Sequence, residues 1–254
     1  MSTSDSHPAM VGWFEITATD PSRSRQFYQE LFGWSFNSFG SDDTYRTITA
    51  PGAATSMGAL RGGGRDTLCI SVICSDAAAE VRRLEPLGAA LAEQPERTPA
   101  GDIHAVVIDV RGNRLGLFEP AARRDPAAAR DAAPVLNAMG FFEIGTTDLV
   151  TTQEFYKKAF GWTTERDKAV ESVAYYGVVP PGASSEIGGV LDGMADYAIP
   201  GVRVADVPAV LERAEAAGGR RVMGPVSDAN GVVVGQFLDP FGNRWSTFAL
   251  PSAE

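Results

Sequence analysis

Two carboxylates, one histidine and a pair of tyrosines are the groups through which this chain could move a proton. Glu15 follows Trp13 by two positions and Glu143 follows Phe141 by two, so in a strand each carboxylate shares a face with an aromatic ring. Partial enclosure beside a ring disfavours the charged form and moves a carboxyl toward use as a general acid or base. The plainer alternative is that each glutamate closes a structural ion pair with an arginine such as Arg114 or Arg244. His104 is the one imidazole outside the N-terminal tail, which carries His7. It falls on one strand face with Val106 and Ile108, as Gln236 does with Val234 and Leu238; catalysis and a hydrogen-bonded structural role both remain open for His104. Tyr45 and Tyr175 occupy equivalent places, where a hydroxyl could donate to a substrate carbonyl or simply pack.

These groups recur because the chain is written twice. Trp13-Phe14-Glu15-Ile16, Asp20, Phe27-Tyr28 and Phe32-Gly33-Trp34 return as Phe141-Phe142-Glu143-Ile144, Asp148, Phe155-Tyr156 and Phe160-Gly161-Trp162, at a constant separation of 128 positions. Asp109, Gly112-Asn113-Arg114 and Phe118 return as Asp239, Gly242-Asn243-Arg244 and Phe248 at a separation of 130. A tandem duplication of two halves of roughly 120 residues follows, each long enough to bury a core.

Within each half, β-strand periodicity and helix signals alternate. The pattern from Val11 is a strand, Asp20-Pro21 opens a helix, Gly33 stops it, and three short strands follow. After Gly62-Gly63-Gly64 the order β-α-β-β-β restarts at Leu68, with a helix over 77–87 and strands at Leu91, Ile103–Val110 and Arg114–Glu119. The second half repeats the scheme. The expected architecture is α+β, with four βαβββ modules paired into two half-open barrels. Its expected boundaries are a disordered tail at 1–10, a first domain at 11–120, a linker at 121–139 and a second domain at 140–250. Asp20, Asp76, Asp148 and Asp206 precede helices and read as caps. Asp109 and Asp239 precede tight turns, whose geometry accounts for them.

Composition narrows the partners. The chain of 254 residues has 22 basic and 32 acidic side chains, a net charge of −10, and no basic cluster able to track a phosphate backbone. Neither an apolar run of membrane length nor a signal peptide is evident, so a cytoplasmic protein with no nucleic-acid or membrane partner is expected. Cys69 and Cys74 point to opposite faces of one strand and are expected to be free thiols.

The signature of Phe-Glu-Ile, Asp, Phe-Tyr and Phe-Gly-Trp, closed by Asp…Gly-Asn-Arg in both halves, resembles the vicinal oxygen chelate superfamily, which includes glyoxalase I, extradiol dioxygenases, and fosfomycin and bleomycin resistance proteins. That resemblance implies paired modules that form a cup, and in metal-dependent members a His or Gln, a His and a Glu that hold a divalent ion. The corresponding positions here are Trp13, Cys69 and Gly116, and in the second half Phe141, Ile199 and Ser246. Neither set suits a metal, so no metal and no cofactor are expected. The resemblance implies a small-molecule ligand, apolar or aromatic, bound against Trp13, Phe141, Tyr45, Tyr175, Gln236, Cys69 and Ser246. The expected function is a metal-independent enzyme, lyase-, isomerase- or hydroxylase-like, that tailors a natural product by proton transfer through Glu15, His104 or Glu143. The alternatives are a drug-sequestering resistance protein without turnover, and a metal-dependent lyase or dioxygenase with atypical ligands. A monomer or a homodimer fits a chain that carries its own pairing.

Overall fold

The structure, a computed structural model, describes residues 10–39, 42–121 and 135–251. The tail expected at 1–10 lies outside these residues except for Met10, as does the linker from 122 to 134. The first half contains β1 (Val11–Ala18), α1 (Pro21–Phe32), β2 (Ser35–Phe39), β3 (Asp42–Thr49), β4 (Gly58–Gly62), β5 (Thr67–Ile73), α2 (Ala77–Leu84), β6 (Ala90–Arg97), β7 (Ile103–Ile108) and β8 (Arg114–Glu119). The second half contains β9 (Met139–Thr146), α3 (Leu149–Phe160), β10 (Thr163–Arg166), β11 (Ala174–Val179), β12 (Gly188–Asp192), β13 (Tyr197–Arg203), α4 (Val207–Ala216), β14 (Arg220–Ser227), β15 (Val233–Leu238) and β16 (Arg244–Ala249). Two strands exceed the sequence reading: β6 extends well beyond Leu91, and β14 was not anticipated, because its Gly and Pro obscure strand alternation.

Each half forms one eight-stranded sheet, in the order β2-β3-β4-β1-β5-β8-β7-β6 and its counterpart β10-β11-β12-β9-β13-β16-β15-β14. The central strands β1 and β5 run antiparallel, while β1–β4 and β5–β8 are parallel. Two βαβββ modules are thus joined about an approximate two-fold axis, and each sheet curls into an open cup. The helices start where the sequence places them. Asp20, Asp76, Asp148 and Asp206 accept from the amides of Arg23, Ala79, Thr151 and Ala209 at 3.0, 2.8, 3.1 and 2.9 Å, supplying orphan N–H groups with an acceptor.

Alternation on β1 sends Phe14 and Ile16 to the helix-covered side and Trp13 and Glu15 to the cup. Phe14 fits because its neighbour across the parallel pair is Gly58, where a Cβ would come within 2.8 Å of the ring; Gly188 makes the same room for Phe142. The core behind the sheets differs from the self-contained cores expected of each half. One cluster joins Phe14, Phe27, Tyr28 and Trp34 of the first half to Val202, Leu211, Phe237 and Trp245 of the second. The other joins Ile70, Val81, Leu115 and Leu117 to Phe142, Phe155, Tyr156 and Trp162. The first module of each half is therefore packed on the second module of the other.

Polar groups tie this exchange at two equivalent points. Tyr28 donates to Asp239 Oδ2, and Tyr156 donates to Asp109 Oδ2 at 2.7 Å. Both carboxylates also gather their own turns: Asp109 Oδ1 accepts from the amides of Arg111 and Asn113 at 2.8 and 2.9 Å, and Asp239 Oδ1 from those of Phe241 and Asn243 at 2.9 and 2.8 Å. Turn geometry alone thus leaves out half of what these aspartates do. The chain entering the second half is also anchored: Trp34 Nε1 donates to the Asn137 carbonyl at 2.6 Å. Cys69 and Cys74 are free thiols, and among the described residues no helix is long and apolar enough to cross a membrane.

Removing either tyrosine hydroxyl leaves a buried carboxylate short of one donor, a loss of roughly 1–3 kcal/mol. Tyr28→Phe and Tyr156→Phe are each expected to lower the unfolding free energy by that amount in urea titrations, with the two halves still unfolding in one transition. Separate transitions for the halves in the wild type would contradict a shared core.

Candidate functional site

The cup of the first half is charged and hollow. Glu15 on β1 is buried at 3% exposure and meets Arg61 Nε of β4 at 2.8 Å and His104 Nδ1 of β7 at 3.4 Å. Arg61 also pairs with Glu93 of β6, and Arg114 of β8 pairs with the other oxygen of Glu93. On its far side His104 has Nε2 3.2 Å from Ser71 Oγ of β5. A cavity of about 450 Å³ opens above this floor, lined by Glu15, Tyr45, Arg61, Glu93, Thr98 and His104 among others. The hydroxyls of Tyr45 and Thr98 are both buried and lie beside each other, and neither has a hydrogen-bond partner of good geometry.

Burial sets the protonation of these groups. Loss of solvent pushes the His104 imidazole below its ordinary value, only partly offset by the Glu15 carboxylate, so the ring is neutral near pH 7. Burial and then the Glu15 charge raise the Tyr45 hydroxyl, which remains a donor. Burial would raise Glu93 as well, but the guanidiniums of Arg61 and Arg114 outweigh it and hold the carboxyl below its usual range. The Cys69 thiol is pushed up to about 12, by burial first and the Glu15 charge second, which keeps it protonated near pH 7.

The second cup has the same backbone and different chemistry. At the positions of Arg61 and His104 in the strand register stand Leu191 and Val234. Glu143 accepts from Tyr197 and from Gln236 Nε2, the latter at 2.6 Å, and Gln236 Oε1 in turn accepts from Arg244 Nε at 2.9 Å. The Arg244 guanidinium lies over the Tyr197 ring at 3.7 Å. Burial raises the Glu143 carboxyl, with Tyr197, Arg244 and Gln236 opposing. Tyrosines occupy the hollow: a Cβ at Gly145 would meet the Tyr197 ring at 2.1 Å, and one at Gly189 the Tyr175 hydroxyl at 2.0 Å.

Of the residues singled out in the sequence, Glu15, His104 and Tyr45 converge on one cavity. Glu143, Gln236 and Tyr175 converge in the filled cup, where Ser246 is buried opposite Gln236. Three placements add to the sequence reading. Trp13 is 1% exposed and stacks on Phe118 at 4.3 Å and 15°, so its face is taken and it lies beneath the cavity rather than forming its wall. Phe141 packs on Phe248 at 5.9 Å. Glu15 pairs with Arg61 rather than Arg114, and Glu143 is held by Tyr197 and Gln236 rather than directly by Arg244.

The sequence reading missed Arg61, Ser71, Glu93, Thr98 and Tyr197. Ser71 was legible, two positions from Cys69 on the same strand face. Glu93 was hidden by the unrecognised length of β6, and Tyr197 stands at the first position of β13, a strand boundary that alternation does not fix.

The row where the resemblance would seat a metal runs across β1, β5 and β8 as Trp13, Ser71 and Gly116. Cys69 lies one step along, opposite Glu15. An indole, a hydroxyl and a glycine do not supply a ligand set, and among the described residues no three His, Cys, Asp or Glu side chains are grouped to hold a metal ion.

Comparisons with known proteins agree with this architecture. Residues 13–118 match the glyoxalase-like domain family, and residues 137–247 match the glyoxalase/bleomycin resistance protein/dioxygenase superfamily. The chain is 25% identical to the anthracycline biosynthesis protein DauV of Streptomyces sp. (strain C5), over 97% of this chain and 95% of that one. Among solved structures it is similar to a variant of homoprotocatechuate 2,3-dioxygenase from B. fuscum, with a TM-score of 0.67 at 15% identity over 97% of this chain and 72% of that one. It is also similar to the Mn(II)-bound glyoxalase from Novosphingobium aromaticivorans, with a TM-score of 0.66 at 16% identity over 96% and 83%. With two curled sheets of the same strand order and a family match in each, the chain belongs to the glyoxalase/bleomycin resistance protein/dioxygenase superfamily, with one domain of it in each half.

Proposed function

We propose that the chain is an acid–base enzyme that binds an oxygenated aromatic molecule in the first cup and transfers a proton on it without a metal. The observation that carries this reading is the pair of buried hydroxyls, Tyr45 and Thr98, which lie beside each other without a well-formed hydrogen bond in the cavity that Glu15 and His104 floor. A buried hydroxyl without a partner costs about 1–3 kcal/mol, which a ligand oxygen would recover. A cavity of about 450 Å³ is within the range of small-molecule sites. The name of the relative at 25% identity, an anthracycline biosynthesis protein, supports an aromatic natural product as the ligand class.

In this reading Tyr45 donates to a substrate carbonyl and Glu15 accepts a proton from the adjacent carbon or hydroxyl. The electron pair left on the substrate becomes an enolate or phenolate held by Tyr45, and Glu15 returns the proton at a second position. Arg61 and the neutral His104 keep the Glu15 carboxylate aimed at the cavity. The second cup, whose hollow tyrosines fill, has a structural role.

The Arg61–Glu15 ion pair favours a second reading, ligand sequestration without turnover, because a carboxylate already held by a guanidinium must loosen that contact to accept a proton. Hydroxylated anthraquinones and anthrones are suitable probes for separating the two. Tyr45→Phe is expected to weaken binding roughly 3- to 10-fold in fluorescence titrations, the loss of one hydrogen bond. Glu15→Gln is expected to lower turnover by at least about 100-fold while changing affinity by only a few fold, the signature of a lost general base. Tight binding with the probe recovered unchanged from wild-type protein would establish sequestration.

The lowered imidazole value also predicts a pH effect on stability. As pH falls below about 6.5, the ordinary histidine value, the unfolded chain takes up a proton at this position before the folded one does. Stability that His104 leaves intact at neutral pH is thus lost on the acid side. His104→Gln is expected to make stability less sensitive between pH 6.5 and 5, as read from urea midpoints across that range.

A further inference from the structure

Gly116 on β8 faces the cup at a crowded point. A Cβ there would lie 2.0 Å from Ser71 Oγ and 2.7 Å from His104 Nε2, so any larger residue would push the serine and histidine apart. The absent side chain is what lets His104 reach across from β7 and meet Ser71 on β5. Ser71 is fully buried and His104 is 6% exposed, which leaves both dependent on protein partners.

The chemistry of those partners sets the tautomer. A neutral imidazole has one donor and one acceptor nitrogen. Nδ1 faces Glu15 Oε1 at 3.4 Å, the same oxygen that accepts from Arg61 Nε at 2.8 Å, and an accepting oxygen favours a proton on Nδ1. Nε2 then carries the lone pair, and the Ser71 hydroxyl 3.2 Å away is the donor to it. We propose that Ser71 is a positioning residue that donates its hydroxyl to Nε2, holds His104 as the Nδ1–H tautomer and thereby orients the Glu15 carboxylate toward the cavity.

This inference rests on Glu15 acting as the base and adds the device that aims it. It gives Ser71 no contact with substrate, and Ser71 does not line the cavity. His104 does not carry the transferred proton. It stays neutral among Glu15 of β1, Tyr45 of β3, Arg61 of β4, Cys69 of β5, Glu93 of β6 and Arg114 of β8. In the other cup the register places Gly201 and Ser246 where Ser71 and Gly116 stand, and Val234 where His104 stands, so the serine has moved strand and the imidazole is gone.

The chain has two histidines, His7 and His104, so His7→Gln leaves one imidazole for nitrogen NMR of histidine-labelled protein. At neutral pH the His7→Gln protein is expected to show Nδ1 protonated and Nε2 bare. Adding Ser71→Ala is expected to populate both tautomers, and Ser71→Thr, which keeps the hydroxyl, to restore the single one. An Nε2–H tautomer in the His7→Gln protein would overturn the proposal whether or not Ser71→Ala folds; so would a tautomer unchanged by Ser71→Ala in protein with a native amide spectrum. The experiment uses no substrate, so it stands apart from the Glu15→Gln assay. Loss of turnover in Glu15→Gln with the wrong tautomer refutes the role of Ser71 alone, and the right tautomer with full turnover in Glu15→Gln refutes the base assignment.

Discussion

A tyrosine hydroxyl from each half reaches the turn of the other and completes the coordination of a buried aspartate. Tyr156 closes the Asp109 turn and Tyr28 the Asp239 turn, and much of the architecture depends on this reciprocity. Asp109 follows β7 and its turn delivers β8, so the strands that carry His104, Arg114 and Gly116 are set by a helix of the second half. The crossed cores act in the same direction. The geometry of one cup is therefore a property of the whole chain.

The duplicate cups show how little backbone change is needed to house two different side-chain chemistries. The register is common to both, and a glutamate faces each cup from the central strand. In one, Arg61, Glu93, His104 and Arg114 surround it with charge and leave a hollow. In the other, Tyr197 and Gln236 hydrogen-bond it, Arg244 holds Gln236 in turn, and tyrosine rings cover Gly145 and Gly189. A buried carboxylate that is fully hydrogen-bonded by its own fold stabilises and specifies packing; one beside hydroxyls without a well-formed hydrogen bond faces a space that a ligand can complete.

The fold was legible because it rests on local patterns repeated at fixed spacing: capped helices, Phe-Gly-Trp stops and Gly-Asn turns. Glu15, His104 and Tyr45 were also legible as cup-facing groups, since strand alternation assigns faces without knowledge of the partner strand. What alternation cannot supply is which side chains meet across strands. Arg61 for Glu15 and Ser71 for His104 are matters of register, which alternation along a single strand does not fix, and the polar sequence of β6 gave a weak strand signal. Trp13 was misjudged for a related reason: the strand face was right, but Phe118 from β8 covers the ring. The crossing of the two cores had no local signal at all, since either pairing of modules buries the same apolar faces.

Crossed cores also bear on how the chain is made. Tyr28 and Asp239 are 211 residues apart, so the first half leaves the ribosome with the helix-side faces of both its modules still lacking their partners. Contacts of such long sequence separation form slowly, and exposed apolar surface in the meantime is prone to association. Fusion of the two halves into one polypeptide limits that interval, because the covering surface arrives tethered and at high effective concentration rather than by encounter between separate chains. Two freely diffusing copies of a half would face the same exposed surface without that guarantee.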